Sequence, residues 1–163
     1  MTKPNSHFPE VKGCNLEGTE FNLPNDFKGN LNVIITAFRM DQIYCLEEWG
    51  PPLDDFVGKN PGTEFYELPV LSIAYSPFRR WIDGGMRSGI LEEKSRKRTI
   101  TLYTNKRQFR SKLQIPNEET IYIFLIDRSG SVFWRTEGKF TKEKLEQLQS
   151  SVNAALHVLG KKT

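Results

Sequence analysis

The chain has 163 residues, 23 Lys and Arg against 20 Asp and Glu for a formal charge of +3, and is 37% hydrophobic and 12% aromatic. That length and composition fit a single domain around one core. A mean hydropathy of −0.52, with no apolar run near the ~20 residues that a helical bilayer span needs, argues against a membrane-spanning helix. The expected organisation is a flexible segment 1–7, one domain over 8–159 and a short tail 160–163. No secretory pattern follows Met1, so a reducing, cytoplasmic setting is expected.

In chain order, Phe8 to Val11 leads into Gly13, Leu16 to Leu23 alternates about a turn and reads as a small hairpin, and Asp26 to Gly29 reads as a turn. Leu31 to Phe38 is an almost continuous apolar, β-branched run, which predicts a strand buried on both faces and central in a sheet. Asp41 is the expected cap of a helix whose apolar residues Leu46, Trp49, Leu53, Phe56 and Val57 recur at spacings of three and four, kinked or split at Pro51 and Pro52. Phe65 to Tyr75 predicts a second strand. Ser76-Pro77 signals a helix start, with Phe78, Ile82, Met86 and Ile90 spaced four apart and Gly84-Gly85 weakening the middle. Thr99 to Thr104 predicts a short strand and Asn105 to Leu113 a short helix. Thr120 to Asp127 and Ser131 to Thr136 flank Gly130 as an antiparallel hairpin. Leu145, Leu148, Val152, Leu156 and Leu159 mark one face of a closing helix. Strands alternating with helices predict an α/β fold with a mixed central sheet, helices on both faces and an N-terminal hairpin, with Leu31 to Phe38 next to Thr120 to Asp127.

The span from Lys94 to Lys112 holds eight basic residues and no acid. Arg96, Lys97, Arg98, Lys106 and Arg107 are its candidate anion-binding side chains, with a solvated face as the simpler reading. On that simpler reading, replacing Arg96, Lys97 and Arg98 by Ser leaves stability nearly unchanged. Cys14 and Cys45 are too few for a disulfide framework, and His7 and His157 supply no clustered metal site, so no metal or cofactor is expected. No phosphate-binding loop or Ser-His-Asp arrangement is present. Trp49, Trp81 and Trp134 are expected in the core. A protein partner is the expected kind; nucleic acid is not.

The order of elements, the Gly18-centred hairpin, Lys28-Gly29 before the strand at Leu31, the inserted strand and helix over Thr99 to Leu113, and the Phe124-Leu125-Ile126-Asp127-Arg128-Ser129-Gly130 hairpin together resemble the thioredoxin-like superfamily in its redoxin and peroxiredoxin branch. Phe8-Pro9 and Trp49-Gly50-Pro51 are similar to cysteine-poor members of that superfamily, including mitochondrial ATP synthase assembly factors.

The resemblance implies a thioredoxin-like fold over residues 8 to 158, with an attacking thiol at the helix start that follows the first central strand. Aligned as the second cysteine of Cys-x-x-Cys, Cys45 leaves Gln42 where the attacking thiol belongs, and an amide forms no mixed disulfide. Set against Pro-x-x-x-Thr-x-x-Cys, the positions carry Phe38 and Gln42 instead of the proline and threonine. Ile121 stands where the family places a cis-proline. The resemblance therefore implies a divergent member that has lost the dithiol and acts as a binding or assembly module. Two alternatives remain. One is a single-cysteine peroxidase or reductase using Cys45, assisted by Gln42, by Arg39 or Arg87, and by Cys14 as resolving thiol. The other is an anion-binding protein using the basic segment.

Overall fold

The computed structural model describes residues 6–161; residues 1–5 of the segment expected to be flexible, and residues 162–163 of the tail, lie outside the described residues. Ser6 is buried, His7 bridges to Ser131, and the ring of Phe8 is fully enclosed.

Strands β1 (Val11–Asn15) and β2 (Glu20–Leu23) form the N-terminal hairpin, with Val11 opposite Leu23 and Gly13 opposite Phe21. The turn after it is fixed by Asn32, whose buried amide accepts from Gly29 N at 2.9 Å and donates to Gly29 O at 3.0 Å. A Cβ at Gly29 would lie 2.9 Å from Glu64 N and collide with Leu31 O, so only glycine fits this close backbone approach.

Strand β3 (Leu31–Ala37) is buried at every position, as an unbroken apolar run requires. A 3-10 turn, Met40–Gln42, leads into helix α1 (Ile43–Lys59). Asp41 is not its cap: the carboxylate is exposed and pairs with Arg39, while Gln42 turns its own amide back onto the backbone. Nor do Pro51 and Pro52 split α1. The prolines free the carbonyls of Glu47 and Glu48, both exposed residues, while Trp49 and Leu53 on either side are wholly buried and hold the helix to the sheet.

Strand β4 (Thr63–Ser72) gives way to a 3-10 segment, Ile73–Phe78, capped by Ser72 Oγ accepting from Ala74 N, four residues before the expected cap at Ser76. Helix α2 (Arg79–Gly89) passes unbroken through Gly84-Gly85, and the chain breaks at Ile90 before helix α3 (Glu93–Arg98). Strand β5 (Ile100–Thr104) and helix α4 (Lys106–Leu113), capped by Asn105, follow as expected. Strands β6 (Tyr122–Asp127) and β7 (Val132–Glu137) form the late hairpin, with Gly130 at φ 94° in its turn. Helix α5 (Lys142–Lys161) closes the chain.

Among the described residues these make one seven-stranded sheet in the order β2-β1-β5-β4-β3-β6-β7. β3 runs parallel to β4 and antiparallel to β6, so the two segments expected to be neighbours are. One face is covered by α1 and α5, which bring Leu46, Trp49, Leu53, Leu148 and Val152 onto Val33, Ile35 and Leu125. The other packs Phe109 and Leu113 of α4 with Phe8, Phe27, Ile34 and Phe124. Trp49 and Trp134 are core residues, whereas Trp81 is 82% exposed; on α5, Ala155 is buried in place of Leu156.

Candidate functional site

β3 ends at Ala37, and the turn that follows carries Arg39 and Gln42 to the same end of the sheet as the loop between α4 and β6. Gln42 is 4% exposed. Its Oε1 accepts from Phe38 N at 2.7 Å and Arg39 N at 3.3 Å, and its Nε2 donates to Glu118 O at 2.8 Å. Both ends of the amide are therefore occupied, and the side chain ties the end of β3 to the loop before β6. Arg39 adds a second tie through Nη2 to Glu119 O at 3.5 Å while its Nε pairs with Asp41 at 3.3 Å.

The same loop is gripped from α4. Glu118 pairs with Lys106 at 2.7 Å and with Arg110 at 3.2 Å, and Arg110 also donates to Pro116 O at 3.3 Å. Asn117 Oδ1 accepts from Tyr122 Oη and from Glu119 N, each at 3.0 Å. Ile121 is wholly buried just before β6. Four residues singled out in the sequence, Arg39, Gln42, Lys106 and Ile121, thus converge on one loop. Glu118 joins Gln42 to Lys106 and Arg110, and its only sequence signal is an acidic pair, Glu118-Glu119, a few residues after a long basic run.

Cys45 lies in the first turn of α1, half-buried against the core shared by α1 and α5. Cys14 lies in β1, which β5 and β4 separate from β3. Both thiols are free. Burial pushes the Cys14 thiol above its ordinary value, and Asp83 and Glu20 add to this against the opposing charge of Arg79. Arg87 is remote from Cys45: it donates to Leu16 O at 2.9 Å and pairs with Glu17 at 3.2 Å.

The basic segment is spent largely on internal bonds. Arg96 pairs with Glu17 at 2.6 Å and caps Ile90 O and Leu91 O. Arg98 is buried, lies 3.9 Å above the Phe65 ring and pairs with Asp54 at 2.8 Å; Lys94 meets the same carboxylate at 3.0 Å. The Lys97 side chain makes an exposed pair with Glu93, and Arg107 is exposed. The guanidinium of Arg96 beside Glu17 holds that carboxyl below the usual range. Burial raises Asp54, but the hydrogen bonds from Lys94 and Arg98 outweigh it and the net shift is downward.

Glu67, on the α1 side of β4, shows the reverse balance. Burial raises its carboxyl to about 7, with Arg98 opposing and Asp54 reinforcing. A folded pKa above the unfolded one means that the protonated carboxyl is favoured by folding, a contribution present in acid and lost as pH rises through about 7. Fully expressed this would be worth about 3 kcal/mol, and residual solvent contact reduces it to about 2 kcal/mol. Denaturant unfolding at pH 5 and pH 8 is expected to show Glu67→Gln removing that decline; an unchanged pH dependence in the variant would contradict the assignment. Asp54 acts at the other end: its lowered pKa gives a contribution present above ordinary carboxylate pH and lost as pH falls below it.

Residues 4–154 match the family model described as ATP10 protein. The chain belongs to the ATP10 family. Among solved structures this ATP10 family member is similar to BsSco, a member of the Sco family of cytochrome c oxidase assembly proteins, with a TM-score of 0.63 at 11% identity over 96% of this chain and 98% of that one. It is also similar to a putative thiol:disulfide interchange protein DsbE from Chlorobium tepidum, with a TM-score of 0.56 at 16% identity over 96% and 99% of the two chains. An uncharacterized conserved protein from Geobacillus kaustophilus gives 0.58 at 14% identity over 87% of this chain and 71% of that one. At these identities the likeness is one of fold, and the fold is thioredoxin-like. No curated protein matches the chain. Among the described residues, no helix is long and apolar enough to cross a membrane, and no group of His, Cys, Asp and Glu is arranged to hold a metal ion.

Proposed function

We propose that this ATP10 family chain is a divergent, redoxin-like member of the thioredoxin superfamily, a single domain over residues 8–159 that has given up thiol-disulfide exchange and serves ATP synthase assembly by binding a protein partner. The observation that carries the reading is Gln42. At the position where the resemblance implies an attacking thiol it presents an amide, buried and with both ends hydrogen-bonded within the chain. A mixed disulfide needs a thiolate there. Gln42 has no sulfur to offer, and both polar atoms of its amide are engaged within the chain.

Arg39, Gln42 and Lys106 then act as braces that hold a binding surface in shape. Beside them the turn and first residues of α1 expose apolar side chains, with Met40 at 74% and Tyr44 at 73%. Exposed apolar residues on a braced scaffold suit a protein partner. Arg96 and Arg98 are assigned the same internal role, which leaves Lys97, Arg107 and Lys112 among the outward charges of the basic segment. The cytoplasmic setting read from the sequence is kept only as a reducing compartment.

The test is catalytic. Wild type and Cys45→Ser are expected to show neither insulin disulfide reduction nor peroxide consumption above the uncatalysed rate. Peroxide turnover by wild type that disappears in Cys45→Ser would make Cys45 a nucleophile and overturn the reading.

A further inference from the structure

The sheet has a gap in its own plane. β5 stands against β4 from Glu67 onward, with Glu67 opposite Thr99 and Val70 to Ser72 opposite Leu102 to Thr104. Ahead of Glu67 no strand pairs with that side of β4 among the described residues, because the chain before β5 winds into α3. A cleft of about 340 Å³ lies there, with Phe65 and Tyr66 of β4 on one side and Asn15, Thr19 and Phe21 of the hairpin on the other. Val57 and Arg98 reach it from the α1 face of the sheet, and Phe21 and Tyr66 from the opposite core. An opening between strands draws on both faces in this way, whereas a hollow on one face does not.

The register fixes which backbone groups face the gap. Leu31 lies opposite Thr63, and Leu31 N donates to Gly62 O at 3.3 Å. In a parallel ladder that phase turns the peptide groups of Glu64 and Tyr66 toward β3 and those of Phe65 and Glu67 the other way. Glu67 meets β5. Phe65 N–H and C=O meet no backbone partner on that side among the described residues, although Phe65 is only 4% exposed. Backbone groups so enclosed are nearly always paired.

We propose that this gap receives a short extended segment of another polypeptide, which continues the line of β5 and exchanges hydrogen bonds with Phe65 N–H and C=O. A strand supplies the acceptor and the donor that the edge lacks, and pairing of this kind is a general mode of peptide recognition. Its side chains point alternately toward Val57 and Phe65 and toward Phe21 and Tyr66, so apolar residues suit both directions. Charge favours no free anion. Lys94 and Arg98 are held by Asp54, Lys97 by Glu93 and Glu17 by Arg87 and Arg96, while the exposed Lys28 and Glu64 are opposite in sign. The gap lies at the amino ends of β3 and β4, away from Met40 and Tyr44 beyond the carboxyl end of β3, so this site is independent of the function proposed above.

Amide hydrogen exchange of the full chain, with a heptapeptide library displayed on phage as the source of ligand, tests this. In the free chain Phe65 N–H is expected to exchange ~10-fold or more faster than Glu64 N–H and Tyr66 N–H, which β3 holds. Selection should yield peptides of alternating apolar residues that bind wild type and lose ~10-fold or more in affinity for Thr19→Trp, because an indole there fills the gap. Adding the synthetic peptide should slow exchange at Phe65 by ~10-fold or more. Methylating its backbone nitrogens in one of the two alternating phases should abolish binding, a readout that does not depend on how Thr19→Trp folds. Raising salt from about 50 to 500 mM should change the affinity by less than ~5-fold. Phe65 N–H as protected in the free chain as its two neighbours, or a selection that yields no peptide, would overturn the proposal. So would a peptide whose binding leaves Phe65 exchange unchanged, tolerates methylation in both phases or falls more steeply with salt, as binding at an anion site does.

Discussion

Gln42→Ala is expected to lower the unfolding free energy by about 3 kcal/mol. The substitution leaves Phe38 N, Arg39 N and Glu118 O without the amide that now pairs them. A buried polar group left unpaired costs about 1–3 kcal/mol, and water can reach the Arg39 and Glu118 ends more readily than Phe38, which is 7% exposed. Cys45→Ala should cost about 1 kcal/mol or less, because the half-buried thiol contributes only packing. The ordering of the two, measured by denaturant unfolding at one pH, separates a structural brace from a remnant of a redox site. Equal and small effects would mean that the loop before β6 holds its position without Gln42.

The second large effect is at Arg98. Removing it by Arg98→Ala is expected to cost about 2 kcal/mol, less than the loss of one partner of a fully buried ion pair, because the guanidinium is enclosed while Asp54 is 38% exposed. The side chain is 10% exposed, covers the Phe65 ring and supplies the shorter of the two bonds to Asp54. Lys97→Ala, one residue away and exposed, should stay within about 0.5 kcal/mol. The triple replacement of Arg96, Lys97 and Arg98 that a solvated face would tolerate is therefore expected to be strongly destabilising, nearly all of it through Arg98 and Arg96. Thermal or denaturant unfolding of the three single variants decides this, and three equally small losses would return the segment to the surface.

The contrast between these two neighbours shows where sequence reasoning stops. Lys97 and Arg98 look alike in the chain, and what distinguishes them is Asp54, 44 residues away. Glu17, 79 residues from Arg96, does the same for that residue. Local patterns carry no trace of such pairings. The strands were legible because the runs Leu31 to Phe38 and Thr120 to Asp127 are long and apolar enough to fit only a buried sheet position, and their adjacency followed from the order of elements.

Helix starts were harder. Asp41 and Ser76 have capping side chains, yet a 3-10 turn precedes α1 and another precedes α2, which moves the capping role to Gln42 and Ser72. Of Phe78, Ile82, Met86 and Ile90, spaced four apart, the last three are half-buried, but α2 buries none of its residues fully; it is also seated through Asp83, Arg79 and Arg87, and it leaves Trp81, expected in the core, in solvent. At the candidate site, Gln42 and Ile121 were legible through the resemblance, while Glu118 was not, because its role exists only once α4 and the turn after β3 are brought to the same loop.

The central claim is that the chain assists assembly without thiol chemistry. Its most direct test is the amount of ATP synthase assembled in cells that lack the chain and are supplied with the Cys14→Ser/Cys45→Ser double variant. The account predicts assembly at the wild-type level. Assembly that fails while the double variant accumulates to normal abundance would contradict it.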